Sequence, residues 1–266
     1  MSTDLPLPDF SANWLRPEWP APARVKALMT DRHGGVSSPP WDSMNLGDHV
    51  GDTDSDVLIN RDRLAQATGS KPVFLRQVHG VDVVFLDPTL SDDVAADACI
   101  TDRSDRVCTI MVADCLPVLL CDSSGQWVAA AHAGWRGLAG QHGIGVLERL
   151  MESTPSSEAR DILAWLGPCI GPQAFEVGAE VKEAFCGNDS DAHACFTPTT
   201  NGKFLADLAG LARRRLQRMG ITQIFGNNSQ PAWCTASQAS RFFSHRRDSP
   251  ILGHSGRMAA CIWLDR

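Results

Sequence analysis

The sequence predicts one domain of mixed α+β class, and three observations carry that prediction. Strand-like and helix-like patterns follow one another irregularly, without the βαβα alternation of a doubly wound sheet. No internal repeat, low-complexity tract or linker divides the 266 residues, a length that buries a substantial core. The composition, 43% hydrophobic and 21% charged, is that of an ordinary globular protein and leaves out disordered and fibrous classes.

Residues 1–23, rich in Pro and Trp, read as an extended arm ahead of a single domain over residues 24–266. Thr30 to Gly51 carries Gly34-Gly35, Pro39-Pro40 and Asn45-Leu46-Gly47, which is loop chemistry. Asp54 to Thr68 has Val57, Leu58, Leu64 and Ala65 at helical spacing, capped by Asp54 or Ser55. Val73–Leu75 and Val81–Leu86 read as strands on either side of Gln77-Val78-His79-Gly80. The apolar runs Pro117–Cys121 and Trp127–Ala131, joined through Ser123-Ser124-Gly125, read as a hairpin. A helix is expected over Leu138–Met151, a buried strand over Ile162–Leu166 and a short helix over Ala179–Phe185. Phe204–Met219 has an amphipathic helical pattern ending at Gly220, followed by strands at Ile221–Phe225 and Met258–Leu264.

The net charge of −7 argues against broad binding to nucleic acid or an anionic membrane, so neither is an expected partner. Arg213-Arg214-Arg215 with Arg218 falls on the polar side of a helical pattern and reads as a solvated face. The opening MSTDLPLPDF has neither the basic nor the apolar region of a secretory signal. No stretch reaches the roughly 18 apolar residues of a membrane helix. Nine cysteines, without a C-x-x-C pair, argue against a disulfide scaffold and for a reducing cytoplasm. Tyrosine is absent, so no phenol can serve as acid, base or nucleophile.

Three reactive side chains sit where apolar runs meet loops: His79, Cys115 and His132. A hairpin returns its second strand beside its first, so Cys115 and His132 can share one end of it. Together the trio would supply two imidazoles and a thiolate, and three protein ligands with an open position is the pattern of catalytic zinc. Their spacing is not a zinc-finger signature, and a buried cysteine with two hydrogen-bonded histidines stays open as a plainer alternative. A metal-free reading makes Cys115 a nucleophile and His132 its base. Copper oxidation is a third, but the eight histidines form no H-x-H pair, and three ligands are too few for several coppers.

Around the trio, Gly134-Trp135-Arg136-Gly137 precedes a helix and could meet an anion. Arg246-Arg247-Asp248 and Gly256-Arg257 add fork-shaped donors, with surface ion pairing as the alternative. Asp114 is a candidate for moving protons or orienting a ligand, and turn capping is the competing role.

These residues lie in motifs that run in fixed order along nearly the whole chain. They include Arg32-His-Gly-Gly-Val-Ser37, Asn45-Leu-Gly47, His49-Val-Gly-Asp52, Asn60-Arg61 and Gln77-Val-His-Gly80. Ala113-Asp-Cys-Leu-Pro117, His132-Ala-Gly-Trp-Arg-Gly137, Gly167-Pro-Cys-Ile-Gly171 and Phe242-Phe-Ser-His-Arg-Arg-Asp248 follow. With them the sequence resembles the YfiH-like, laccase-domain family of zinc-dependent purine nucleoside phosphorylases.

The resemblance implies a four-layer α/β/β/α sandwich with mixed sheets, shared in outline with a class of cysteine hydrolases. It implies a metal bound by His79, Cys115 and His132, zinc first and copper as the alternative. It implies phosphorolysis of adenosine, inosine and methylthioadenosine, with adenosine deamination as a further activity, so purine nucleosides and phosphate are the expected small-molecule partners. Cys115 and Asp114 are then the candidate catalytic residues, and Asn45, Arg61, Arg136 and Arg246 the candidate substrate-binding residues. Phosphate falls to Arg136, Arg246 or Arg257. The rivals are a metal-free cysteine hydrolase, a copper polyphenol oxidase and a factor editing peptidoglycan precursors. Two departures stand out: Asp31 where the family's first motif has Thr, and His245 where its last often has Tyr.

Overall fold

In the computed structural model, which describes residues 11, 13–155 and 158–265, regular structure begins with β1 (Val25–Met29) and helix α1 (Asp54–Thr68). Strands β2 (Lys71–Phe74), β3 (Val83–Phe85), β4 (Ala98–Thr101) and β5 (Arg106–Val112) come next. The hairpin of β6 (Leu116–Asp122) and β7 (Val128–Ala133) leads into two short helices, α2 (Trp135–Ala139) and α3 (Val146–Ser153). After β8 (Ile162–Leu166) and β9 (Glu176–Val177) come α4 (Ala179–Cys186), β10 (Phe196–Pro198) and β11 (Phe204–Ala206). The chain finishes with α5 (Leu208–Arg218), β12 (Gln223–Gly226), α6 (His245–Leu252) and β13 (Met258–Leu264).

Two mixed sheets stack face to face. One runs β1-β13-β5-β2, antiparallel except for the parallel β5/β2 pair. The other runs β12-β8-β6-β7-β4-β3, with parallel pairs only at its two edges. A small antiparallel sheet, β10-β11-β9, lies beside them.

The layering follows from side-chain alternation along buried strands. On β13, Met258, Ala260 and Ile262 enter the core between the sheets, while Ala259, Cys261 and Trp263 join Leu64 of α1 on the outer face. On β6, Leu119 and Cys121 face that inter-sheet core, whereas Leu116, Val118 and Leu120 pack with residues of α2, α3 and α5 on the opposite outer face. Both faces of the central strands are buried, which is why they read as unbroken apolar runs. The result is the expected four-layer α/β/β/α sandwich of α+β class. All nine cysteines are free thiols. No helix among the described residues is long and apolar enough to cross a membrane.

Several elements differ from the sequence reading. The helix expected over Leu138–Met151 is two helices, because Gly140 (φ 63°) ends α2, its N–H bonded to the Arg136 carbonyl. A Cβ there would stand 1.9 Å from the Ile144 carbonyl oxygen, so the chain closes on itself only through glycine. Apolar spacing continued across the break and concealed it. The amphipathic pattern from Phe204 to Met219 likewise divides: Phe204–Ala206 is strand β11, and α5 starts after Asp207, whose carboxylate accepts from the Gly210 N–H at 2.8 Å.

Strand β7 begins one residue later than read and extends to Ala133, taking His132 into the sheet. Strands β1, β4 and β5 and helix α6 were not anticipated. Of the arginine run read as a solvated face, Arg218 is exposed, but the other three are engaged by protein. Arg215 is buried against Glu148 (2.9 Å), Arg214 pairs with Asp189 and Asp191, and Arg213 donates to the Ile224 and Asn227 carbonyls. Of the expected arm, residues 1–10 and 12 lie outside the described residues, while Trp14 is buried and Leu15 pairs with Met29.

Candidate metal centre

The site lies at one end of the β6–β7 hairpin. Alternation on β7 sends Val128, Ala130 and His132 toward the inter-sheet side, and Cys115, just before β6, packs toward the same core. The register sets Leu116 opposite Ala133 and Pro117 opposite His132, so Cys115, two positions before Pro117, lies diagonal to His132 at the same end of the hairpin. His79 arrives from the loop between β2 and β3, in a left-handed backbone conformation with φ 60°. One donor atom from each of the three lies within 4.8 Å of the others, and Cys115 Sγ is 3.7 Å from His79 Nε2. Among the described residues this is the one group of three or more His, Cys, Asp or Glu donors so placed.

Asp97, just ahead of β4, organises two of the three. Its carboxylate accepts the backbone N–H groups of Val78 (3.1 Å), His79 (2.9 Å) and Gly80 (2.7 Å), fixing the loop that carries His79. It also lies 2.8 Å from His132 Nδ1. Burial pushes the Asp97 carboxyl up, but the hydrogen bond and charge of His132 and the loop N–H groups hold it below the usual range. An ionised Asp97 can only accept, so His132 Nδ1 carries the proton and Nε2 is left for the site.

Charge at the centre points the same way. Burial raises the Cys115 thiol, yet the charge and hydrogen bond of His132, helped by His79, bring it down to about 6. Burial lowers His132, but the Cys115 thiolate and Asp97 lift it to about 9. The three donors therefore favour a cation among them, and a proton or a metal ion can fill that place. Donors 2.0–2.3 Å from a tetrahedral metal stand roughly 3.3–3.8 Å apart, and the 3.7 Å separation of Cys115 and His79 fits. With all three donor atoms within 4.8 Å of one another, the residues could hold a metal ion as a three-ligand site.

Gly134, two residues after His132, is glycine for a steric reason: a Cβ there would lie 2.8 Å from His79 Cδ2 and 3.1 Å from Cys115 Sγ. Asp114, at φ 86°, is buried, and both its oxygens are engaged by protein. They accept from Thr235 Oγ1 (2.5 Å), Ser244 Oγ (3.0 Å) and the Arg246 N–H (2.6 Å). This ties the start of α6 to the strand that presents Cys115.

The three donors open onto a cavity of about 740 Å³, a size suited to a small molecule. It crosses the ends of both large sheets. One wall, with Phe74 and Met111, belongs to the α1 layer; the other, with Ile170, Phe175 and Leu208, belongs to the opposite helical layer. Arg61 and Arg257 line the first wall. Arg136, 4.4 Å above the Trp135 ring, and Arg246, 5.7 Å from the Phe175 ring, line the second. His245 also lines the cavity, its Nδ1 2.8 Å from Ser249 Oγ.

Asn45, a candidate for substrate binding by resemblance, is not among the residues that line it. Its amide is buried and spent on Gly47, Asp52 and the Arg257 N–H, so it shapes the loop beneath the wall. Asp97 was missed. Its one sequence signal is a lone charge in the small-residue run Ala95-Ala-Asp-Ala98.

Comparison with known proteins agrees with this architecture. The family described as multi-copper polyphenol oxidoreductase laccase matches residues 26–265. A purine nucleoside phosphorylase of Pseudomonas aeruginosa is 50% identical, covering 94% of this chain and 98% of its own. The purine nucleoside phosphorylase YfiH of Escherichia coli is 49% identical, covering 93% and 97%. The crystal structure of a Neisseria meningitidis DUF152 protein, 45% identical, superposes with a TM-score of 0.88 over 96% of this chain and 100% of that one. YlmD from Geobacillus stearothermophilus, 31% identical, does so at 0.81 over 95% and 96%.

Proposed function

The chain belongs to the multi-copper polyphenol oxidoreductase laccase family, and from that premise we propose that it is a zinc-dependent purine nucleoside phosphorylase. The observation that carries the proposal is the convergence of His79, Cys115 and His132 on the floor of a cavity with aromatic walls and arginines. The substrates we assign are adenosine, inosine and methylthioadenosine, in keeping with the names of the relatives at about half identity.

In the reaction a phosphate oxygen bonds to C1′ of the ribose as the C1′–N9 bond breaks. The electron pair of that bond leaves on the purine, which takes up a proton, and ribose 1-phosphate remains. The purine needs a flat apolar slot, and Trp135, Ile170 and Phe175 offer one. Phosphate needs guanidinium forks, which the arginines of both walls offer. Zinc held by His79, Cys115 and His132 would supply a Lewis acid to the site. Asp97 would hold His132 in the tautomer that leaves Nε2 free, and Asp114 would position Cys115 and Arg246.

We also assign adenosine deamination to the site: water adds at C6, ammonia leaves, and inosine forms. Incubation of zinc-loaded protein with inosine and phosphate should yield hypoxanthine and ribose 1-phosphate. Cys115→Ala should lose most bound zinc and both activities together. No ribose 1-phosphate from protein that carries zinc would sink the proposal, and a Cys115→Ala protein with full deamination would sink the metal assignment.

A second reading has its own support, because Cys115, His132 and Asp97 also form a thiol–imidazole–carboxylate chain with the thiol lowered to about 6. A metal-free cysteine hydrolase would use it. Elemental analysis separates the two: about one zinc per chain favours the phosphorylase, while active, metal-free protein inactivated by iodoacetamide at Cys115 favours the hydrolase.

A further inference from the structure

The arginines of the two walls are held in different ways. Leu46 anchors both members of one pair: its carbonyl accepts from Arg61 Nε at 3.0 Å, and its N–H donates to the Arg257 carbonyl at 3.0 Å. Asn45 Oδ1 accepts the Arg257 N–H at 2.8 Å, and the Arg61 guanidinium lies 4.1 Å above the Phe74 ring. One turn thus braces Arg61 of α1 and the backbone of Arg257 ahead of β13, and both arginines line the cavity. On the opposite wall Arg246 Nη1 is spent on the carbonyls of Ala174 (3.3 Å) and Glu176 (3.1 Å), and Arg136 sits over the Trp135 ring, 4.4 Å from its centroid.

The charges of the first pair are incompletely answered. Arg257 donates Nη1 to the neutral carbonyls of Ser255 (2.8 Å) and Gly256 (3.3 Å), and it forms no ion pair among the described residues. Arg61 Nη2 is buried 3.0 Å from Asp48 Oδ2, but off the line of its N–H bonds, so that donor lacks an aligned acceptor. Asp48 itself is 57% exposed, and among the described residues its one other ion-pair partner is the exposed ring of His49. The other carboxylates on this wall are engaged elsewhere, Asp92 with Lys71 (3.2 Å) and Asp93 with Arg76 (3.7 Å).

We propose that the Arg61–Arg257 stretch is the phosphate subsite, and that Asp48 is a counter-ion which the incoming oxyanion displaces from Arg61. The assignment rests on the phosphorolysis reading and sharpens it. Burial disfavours the charge of Arg257 while the charges of Cys115 and Asp114 favour it, and an anion bound at this wall would offset the burial cost further. The polarity of the cavity then orders the substrates. Phosphate lies on the α1 side, the purine against Trp135 and Phe175, and C1′ between them, over the three metal donors.

The test is steady-state phosphorolysis of inosine by zinc-loaded wild type, Arg61→Gln, Arg61→Lys and Asp48→Asn. Arg61→Gln should raise KM for phosphate by about tenfold to a hundredfold, with KM for inosine moved less than about twofold. Arg61→Lys should fall between it and wild type, and Asp48→Asn should lower KM for phosphate. An unchanged phosphate KM in Arg61→Gln, or a shift confined to inosine, overturns the subsite. If Arg61→Gln does not fold, Asp48→Asn decides by the same criterion.

Calorimetric titration with inorganic phosphate keeps the subsite separate from the activity. Weaker binding to Arg61→Gln upholds it even if no ribose 1-phosphate is made, and equal binding overturns it. A nucleotide 5′-phosphate offers the same chemistry, so AMP is a further arm. If Arg61→Gln impairs AMP binding and spares inorganic phosphate, the proposal fails.

Discussion

The two ends of the β6–β7 hairpin are built from similar residues and do opposite work. At the turn, Asp122 accepts the N–H groups of Gln126 (2.6 Å), Trp127 (3.0 Å) and Ser124 (3.1 Å) and the Ser124 hydroxyl. All of these partners lie within five positions of it. At the other end the carboxylate of Asp114 reaches Thr235, Ser244 and Arg246, between 121 and 132 positions away. Asp97 reaches His132 across 35 positions while holding the His79 loop. A carboxylate satisfied by its own loop makes a turn. One satisfied by distant segments gathers those segments around whatever stands at the strand end, and here that is a thiol and two imidazoles.

The most direct way to break this comparison is to remove one negative charge at each end. Asp97→Asn retains the shape of the side chain but no longer enforces the proton on His132 Nδ1. Zinc affinity, measured by competition with a chelator, should fall about 10–100-fold. Asp122→Asn should leave zinc affinity within about twofold of wild type while lowering stability by roughly 1–3 kcal/mol. Equal zinc affinity in Asp97→Asn and wild type would reduce the Asp97–His132 contact to packing.

A matched pair of glycine substitutions sharpens the contrast with a smaller perturbation. Gly134 has φ −64°, a conformation alanine adopts freely, yet its Cβ would press on His79 and Cys115. Gly134→Ala should therefore weaken zinc binding by about tenfold at nearly unchanged thermal stability, since the strain falls on the ligands. Gly125 has φ 69° in the turn. Gly125→Ala should lose about 1 kcal/mol of stability, with zinc binding unaltered. Reversal of the two readouts would mean that the strand end is braced for stability and the turn for function.

This division also accounts for what could be read from sequence. Ile162–Leu166 and Met258–Leu264 were legible to the residue, because strands buried on both faces leave uninterrupted apolar runs. The hairpin was legible from its turn, and with it the placing of Cys115 and His132 at one end. His79 joined them only by resemblance, since the loop that delivers it is held by Asp97, a contact no local pattern records. Asn45 shares a motif with a cavity wall but faces the interior, and motif membership does not distinguish a residue on the wall from one behind it. The Leu138–Met151 helix failed where a left-handed glycine broke the backbone without disturbing the apolar spacing.

The smallest expected effect is a pH dependence that separates charge from geometry at the turn. Burial pushes the Asp122 carboxyl up, but the Ser124 hydroxyl and the N–H groups of Trp127, Gln126 and Ser124 hold it below the usual aspartate range. Its folded pKa is thus below its unfolded one, near 3.9. The stability it contributes is complete above the unfolded value and is lost as pH falls through the folded one. Wild type should exceed Asp122→Asn in stability at neutral pH, and that margin should shrink as pH drops below about 4. Asp97 and the other depressed carboxylates titrate in both proteins, so they cancel in the difference. Urea denaturation of the two proteins between neutral pH and pH 3 measures the margin. A gap that stays constant would assign the contribution of Asp122 to shape and hydrogen-bond count. A gap that closes would assign it to charge held by the loop's own N–H groups, the local counterpart of the way Asp97 holds His132.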